Sequence, residues 1–139
     1  MHGPVVITLA GVPVGKGRPR FVRATGRAYT PDKTRSYEDS LRLSAQVAMV
    51  GRAPLDGALS VVVEAAFPVP ASWSEKKRSA ALAGQVHPCV KPDADNLIKV
   101  LDAFNEIVWR DDKQVVEATI RKSYSDKPAF TVVVTEIAA

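Results

Sequence analysis

In a basic chain, Asp93 and Asp95 open the stretch Lys91-Pro-Asp-Ala-Asp-Asn-Leu-Ile-Lys-Val-Leu-Asp102, and Asp111 and Asp112 follow directly after Arg110, so that acidic residues gather near the two ends of one short helical segment. Crowded carboxylates cost free energy unless a cation or a metal compensates them. Several aspartate oxygens with room left for water suit Mg²⁺, a hard ion that takes one or two carboxylates and fills its shell with waters and substrate phosphate oxygens. The pattern points to a phosphate compound as substrate.

Pro92 disfavours helix at Lys91, so a helix here starts no earlier than Asp93, with Asp93 or Asp95 as its N-cap. Over residues 95–107 a helical period aligns Asp95, Lys99, Asp102 and Glu106 on one face and Leu97, Val100, Leu101 and Phe104 on another. A surface Asp95–Lys99 ion pair would account for two of these groups and contribute only roughly a few tenths of a kcal/mol. The alternative is a metal ligand followed one turn later by an ammonium that steadies a phosphate or a developing charge. Trp109 then supplies a buried anchor. His87 and Cys89, with His2 far off in sequence, are too few for a zinc site.

A second group of chemistry-bearing residues is cationic: Lys16, Arg18, Arg20, Arg23, Arg27, Lys33 and Arg35, with Phe21 and Tyr29 among them and Asp32 opposing. Glycine and proline between Gly11 and Arg20 prevent a regular element, so residues 11–34 read as a loop. Basic side chains there can follow a phosphate chain, and the aromatics can pack on a sugar or an unpaired base. The competing reading is a solvated loop anchored by its aromatics. Gly15-Lys-Gly17 lacks both the spacing and the Lys-Ser/Thr ending of a P-loop. With 19 Lys+Arg against 15 Asp+Glu, a formal charge of +4 and a pI near 9.4, the whole chain favours a polyanionic partner.

The elements that must position these groups follow from patterning. A chain of 139 residues fits one domain with a modest core, and 46% apolar with 24% charged residues is ordinary globular composition. One cysteine excludes an internal disulfide, and no apolar run is long enough to span a membrane. The opening Met-His-Gly-Pro lacks the basic start of a signal peptide, so an intracellular protein is expected. Val5 to Leu9 reads as a strand buried on both faces. A helix from Thr34 or Ser36 to Gly51 carries an apolar stripe of Tyr37, Leu41, Leu43, Ala45, Val47 and Ala48, with Glu38 and Asp39 in its first turn. Residues 57–67 form a second strand ended by Pro68 and Pro70.

Ser72-Trp-Ser-Glu75 has capping-box spacing and opens a short helix through Ala83. Its Lys76, Lys77 and Arg78 read as a solvated charge cluster and Trp73 as a packing residue. Strands at 113–125 and 129–137 follow, with Ser125-Asp-Lys-Pro128 as a hairpin turn between them. The expected fold is α+β, a single domain over residues 1–139, with a mixed sheet of about four strands and two to three helices in the order β-α-β-α-α-β-β.

Lys91-Pro-Asp-Ala-Asp-Asn-Leu-Ile-Lys99, Leu101-Asp-Ala103 and Trp109-Arg-Asp-Asp-Lys-Gln-Val115 closely resemble the signature of the RusA family of Holliday junction resolvases. Gly15-Lys-Gly-Arg-Pro-Arg-Phe21 and Gly26-Arg-Ala-Tyr-Thr30 resemble its phage-type branch, so the likeness spans nearly the whole chain. The resemblance implies a homodimeric endonuclease, dependent on Mg²⁺ with Mn²⁺ as a substitute, that nicks two opposed strands of a four-way DNA junction. It puts the metal-binding carboxylates at Asp93, Asp95 and Asp112 and the essential lysine at Lys99. Asp111 ranks below Asp112, as a ligand, a neighbour of a ligand or the start of the strand. DNA contacts fall to the basic residues from Lys16 to Arg35. Neither a membrane nor a small-molecule cofactor is implied, and the place of action is the cytoplasm, at DNA. A non-catalytic branched-DNA-binding protein would explain the basic loop but not the Asp93, Asp95, Lys99 and Asp112 constellation. A small-molecule phosphohydrolase would explain the acidic site but not the cationic excess.

Overall fold

The computed structural model describes residues 3–17, 20–22, 24–29 and 32–138. Four strands form one mixed sheet: β1 (Val5–Ala10), β4 (Leu59–Phe67), β5 (Val115–Tyr124) and β6 (Ala129–Glu136), in the spatial order β1-β6-β4-β5. β6 is antiparallel to both β1 and β4, while β4 and β5 are parallel. Parallel neighbours need a long crossover. Here that crossover carries α2 (Glu75–Leu82), α3 (Ala94–Lys99), a 3-10 turn at Val100–Phe104 and all the aspartates of the acidic segment. The site is therefore hung between the end of one central strand and the start of an edge strand. The α+β architecture and the element order agree with the sequence reading.

Alternation decides which face of the sheet is buried. In β4, Leu59, Val61, Val63, Ala65 and Phe67 point into the core, with Phe130, Val132 and Val134 of β6 and Val5 and Ile7 of β1 on the same side. β1 is thus buried on one face only; Val6 is 55% exposed, which corrects the two-sided expectation. Helix α1 (Asp32–Ala48) covers this face through Leu41 and Ala45 and also packs against the 3-10 turn at Val100–Phe104. Leu43 and Val47 were expected in its apolar stripe but face solvent, because the buried positions Thr34, Glu38, Leu41 and Ala45 follow the helical period on the other side. Leu41→Ala removes a fully buried side chain from this layer and is expected to destabilise the fold by about 3 kcal/mol, read as a shift in urea midpoint at unchanged slope.

Four further expectations are corrected. β5 and β6 do not form a hairpin: β4 lies between them, so residues 125–128 step across the end of β4, pinned by Ser125 N–H donating to the Phe67 carbonyl (2.9 Å). Ser74, not Ser72, caps α2, its Oγ accepting from Lys77 N–H at 3.2 Å. The helix expected over 95–107 ends as α-helix at Lys99 and tightens into the 3-10 turn, leaving Glu106 outside it with φ 68°. The loop 11–34 holds a small hairpin, β2 (Arg20–Val22) with β3 (Arg27–Tyr29), and α1 starts at Asp32. Trp73 packs edge-on against Tyr124 at 5.3 Å under the Lys77 ammonium, the packing role expected of it. Among the described residues no helix is long and apolar enough to cross a membrane.

Candidate active site

Helix α3 begins at Asp93, whose extended backbone (φ −67°, ψ 154°) makes it the N-cap residue, yet its carboxylate makes no capping bond. The helix therefore does not account for this side chain. Within the first turn, Asp95 Oδ2 receives Lys99 Nζ from one turn further on at 3.0 Å. Both groups are more than half exposed, so the pair adds little to stability. Leu97, Val100 and Phe104 anchor the other side of this segment in the core, so the ionic face is held at the surface.

The loop before β2 closes onto α3 from the other direction. Lys16 N–H donates to the Asn96 carbonyl (2.9 Å), and Gly17 N–H donates to Thr34 Oγ1 of α1 (2.9 Å). Gly15 touches α3 so closely that a Cβ there would lie 2.6 Å from Pro92 Cβ and 3.0 Å from Asn96 Cβ. Neither neighbour is the free end of a flexible chain. Gly15→Ala is accordingly expected to destabilise the protein by about 1–3 kcal/mol and to push the loop off α3, measured as a lower midpoint in chemical denaturation.

Closing the loop brings Lys16, Gly17, Asp93, Asp95, Asn96, Lys99 and Asp102 around one open depression of about 500 Å³. Lys16 Nζ lies 3.1 Å from Asp102 Oδ2 and 3.5 Å from Glu38 Oε2. Partial burial works against the Lys16 ammonium, but the hydrogen bond to Asp102 and the fields of Glu38 and Asp102 outweigh it and raise its pKa. Lys99 and Asp102 also border an adjoining, more apolar groove, where Asp112 stands with Ile98, Leu101, Val115 and Val116. Asp102 thus joins the two halves of the constellation.

Asp112 reaches that position through a local frame. Asp111 caps a 3-10 turn at Asp112–Gln114: its Oδ1 accepts from Lys113 N–H at 2.9 Å, and Gln114 Oε1 accepts from Arg110 N–H (2.9 Å) and Asp111 N–H (3.2 Å). Gln114 Nε2 in turn donates to the carbonyls of Leu55 and Gly57. Trp109 is fully buried, packs on Phe104 and donates from Nε1 to Asn105 Oδ1 at 2.7 Å, which fixes the chain just before the aspartate pair. Asp111 has a capping role, and Asp112 is the carboxylate turned toward Asp102. The hydrogen bond between Asp112 and Asp102 comes first, then burial and the contact with Asp111, in raising Asp112 to about 6. Asp111 is held below the ordinary aspartate value, chiefly by Lys113 N–H and then by its hydrogen bond with Asp112.

Among the described residues no three His, Cys, Asp or Glu side chains form a ready metal cage. The donor chemistry nevertheless fits a hard divalent cation, because the donors are carboxylates and two of them, Asp102 and Asp112, are close enough to hold a proton that a cation can replace. Asp93, Asp95 and Lys99 line one depression, and Asp112 stands in the adjoining groove that Lys99 and Asp102 also border. Three contributors lacked a role in the site on sequence grounds: Asp102, placed only on the ionic face; Glu38, assigned to the start of α1 but buried; and Gln114. The spacing Asp111-x-x-Gln114 was the available signal for the last of these.

Of the basic residues, Lys16 lies in the depression, while Arg27, Lys33 and Arg35 are exposed. Arg20 lies on β2, and Arg18 and Arg23 fall outside the described residues.

The family model described as Endodeoxyribonuclease RusA matches residues 10–135. "Uncharacterized protein YqaN" of Bacillus subtilis (strain 168) is 35% identical over 140 residues, which cover 97% of this chain and 98% of that protein. Since the matched range takes in the loop, the acidic segment, β4, β5 and all but the last residue of β6, and leaves out only the chain up to the last residue of β1 and the end of the chain, the chain belongs to the RusA family of endodeoxyribonucleases.

Proposed function

We propose that this protein is a divalent-metal-dependent endonuclease that resolves four-way DNA junctions by paired symmetric nicks. The observation that carries the proposal is the depression where Asp93, Asp95, Lys99 and Asp102 meet Lys16 of the basic loop, beside Asp112. Asp93, Asp95 and Asp112 would hold Mg²⁺, or Mn²⁺ in its place, and the bound ion would lower the pKa of the attacking water and stabilise the leaving 3′ oxygen. The chain's own groups do the rest. Lys99, steadied by Asp95, offers N–H donors to a non-bridging phosphate oxygen as charge develops there. Phe104 and Trp109 keep the carboxylate-bearing segments from shifting relative to each other. No covalent nucleophile is needed.

Affinity comes from the cationic loop, with Lys33, Arg35 and Arg27 as exposed phosphate contacts and Arg18, Arg20 and Arg23 alongside them in sequence. Selectivity for a junction comes from shape and from a homodimer, whose two equivalent sites match two equivalent strands. Such an enzyme works in the cytoplasm, at DNA, and needs neither a membrane nor a small-molecule cofactor. The test is a labelled four-way junction bound in EDTA, then given Mg²⁺, with all four strands mapped. Retention in EDTA followed by one nick in each of two opposed strands is expected. Retention with no nicks under any divalent ion would leave a DNA-binding protein, and no retention at all would leave a phosphohydrolase of small molecules.

A further inference from the structure

Among the described residues the buried polar side chains are Thr34 and Glu38, one turn apart on α1. Both serve adjacent residues of the loop, Lys16 and Gly17. Thr34 Oγ1 accepts from Gly17 N–H, and Glu38 Oε2 faces Lys16 Nζ at 3.5 Å. The Glu38 side chain is only 6% exposed, and a buried carboxylate is retained at a net penalty unless a cation answers it. An apolar residue would pack that position of α1 with less penalty, so the carboxylate points to a task outside the helix. That task is to hold the Lys16 ammonium.

Lys16 differs from the other described members of the cationic group. Its side chain is 26% exposed, its backbone is tied to Asn96, and Gly15 lets that stretch lie directly on α3. An ammonium has three N–H donors. Glu38 and Asp102 engage two of them, leaving one for a ligand in the depression that Lys16 lines with Asp93, Asp95 and Lys99. Its rotamer freedom is already largely spent, so a phosphate arriving there meets a charge fixed in advance.

We propose that Lys16 is a second active-site lysine, contacting the phosphate that is cleaved, and that Glu38 is its positioning residue. The inference rests on the nuclease reading above and deepens it: Lys16 acts on the chemical step, whereas Lys33 and Arg35 act on affinity. Glu38 acts through Lys16 alone.

The experiment compares wild type, Lys16→Met, Glu38→Gln and the double variant. Three quantities are measured for each: single-turnover cleavage of an immobile four-way junction in Mg²⁺, the junction Kd in EDTA, and the melting temperature. Lys16→Met is expected to slow cleavage about 100-fold, as for loss of one transition-state donor, with Kd changed less than about threefold. Glu38→Gln is expected to slow it about tenfold, and the double variant to be no slower than Lys16→Met, because effects within one linked unit do not add. Lys16→Met leaves Glu38 buried and unanswered; should that lower its melting temperature, the double variant removes the stranded charge and supplies the rate at restored stability. A Kd that weakens by as much as the rate falls would make Lys16 an ordinary backbone contact and overturn the proposal. A double variant as slow as the product of the two single losses would overturn the role of Glu38. If wild type does not cut, the nuclease reading itself has failed; if wild type cuts and Lys16→Met cuts equally fast, only this inference has.

Discussion

Asp112→Asn is expected to lower junction cleavage by at least about 10³-fold and, at neutral pH, to raise the melting temperature of the metal-free protein. The two effects have one cause. Asp102 hydrogen-bonds Asp112, burial and Asp111 add to the effect, and the folded-state pKa of Asp112 rises from the ordinary 3.8 to about 6. Between those values the folded protein holds a proton that the unfolded chain has released. Stability therefore falls as pH rises from about 4 to about 6, and the loss is complete above that. Asparagine keeps a hydrogen bond to Asp102 and carries no charge, so the decline should be absent from the variant. Asp112 is largely exposed, so solvent screening limits the gain to a small shift in melting temperature. The Mg²⁺ proposed to sit at Asp112 would compete with the same proton, so its affinity should weaken as pH drops below about 6. Melting curves from pH 4 to 8, without metal and then with it, check all three statements. A variant destabilised equally at every pH would show that Asp112 is a structural contact instead.

Lys99→Met should slow cleavage by about 10²- to 10³-fold while leaving the fold and the junction affinity nearly unchanged. The Asp95–Lys99 pair is surface-exposed at i,i+4, so its loss removes at most about 0.5 kcal/mol of stability. Its position beside Asp93, Asp102 and Lys16 is what gives the ammonium its value. Lys99→Arg should recover only part of the rate, because a planar guanidinium does not reproduce a point charge 3.0 Å from Asp95. Single-turnover rates in Mg²⁺ and Kd in EDTA separate the two effects. A loss of affinity matching the loss of rate would reduce Lys99 to one more phosphate contact.

What could be read from the sequence was whatever depends on neighbours in the chain. Strand periodicity gave β1, β4, β5 and β6, Pro92 set the start of α3, and the spacing of Asp95 and Lys99 gave their ion pair. What could not be read depends on partners distant in sequence. Lys16 meets Asp102 across 86 positions, and Gln114 meets Leu55 across 59. Local pattern placed Glu38 in the first turn of a helix as a partner of its dipole, whereas it is buried and faces Lys16 of the loop. The supposed hairpin of β5 and β6 failed for the same reason: a short turn-like link looks the same whether its strands pair or a third strand separates them. The switch from α to 3-10 geometry after Lys99 likewise leaves the apolar pattern intact while moving Glu106 away from the ionic face.

The central claim is that the acidic depression cuts branched DNA. Its most direct test is cleavage of an immobile four-way junction beside a linear duplex of the same sequence, by wild type and by Asp95→Asn, in Mg²⁺. The expected result is paired symmetric nicks in the junction alone by wild type, with Asp95→Asn binding the junction and leaving it intact. Equal cutting by both proteins would remove Asp95 from the chemistry, and binding without cutting by either would contradict the account.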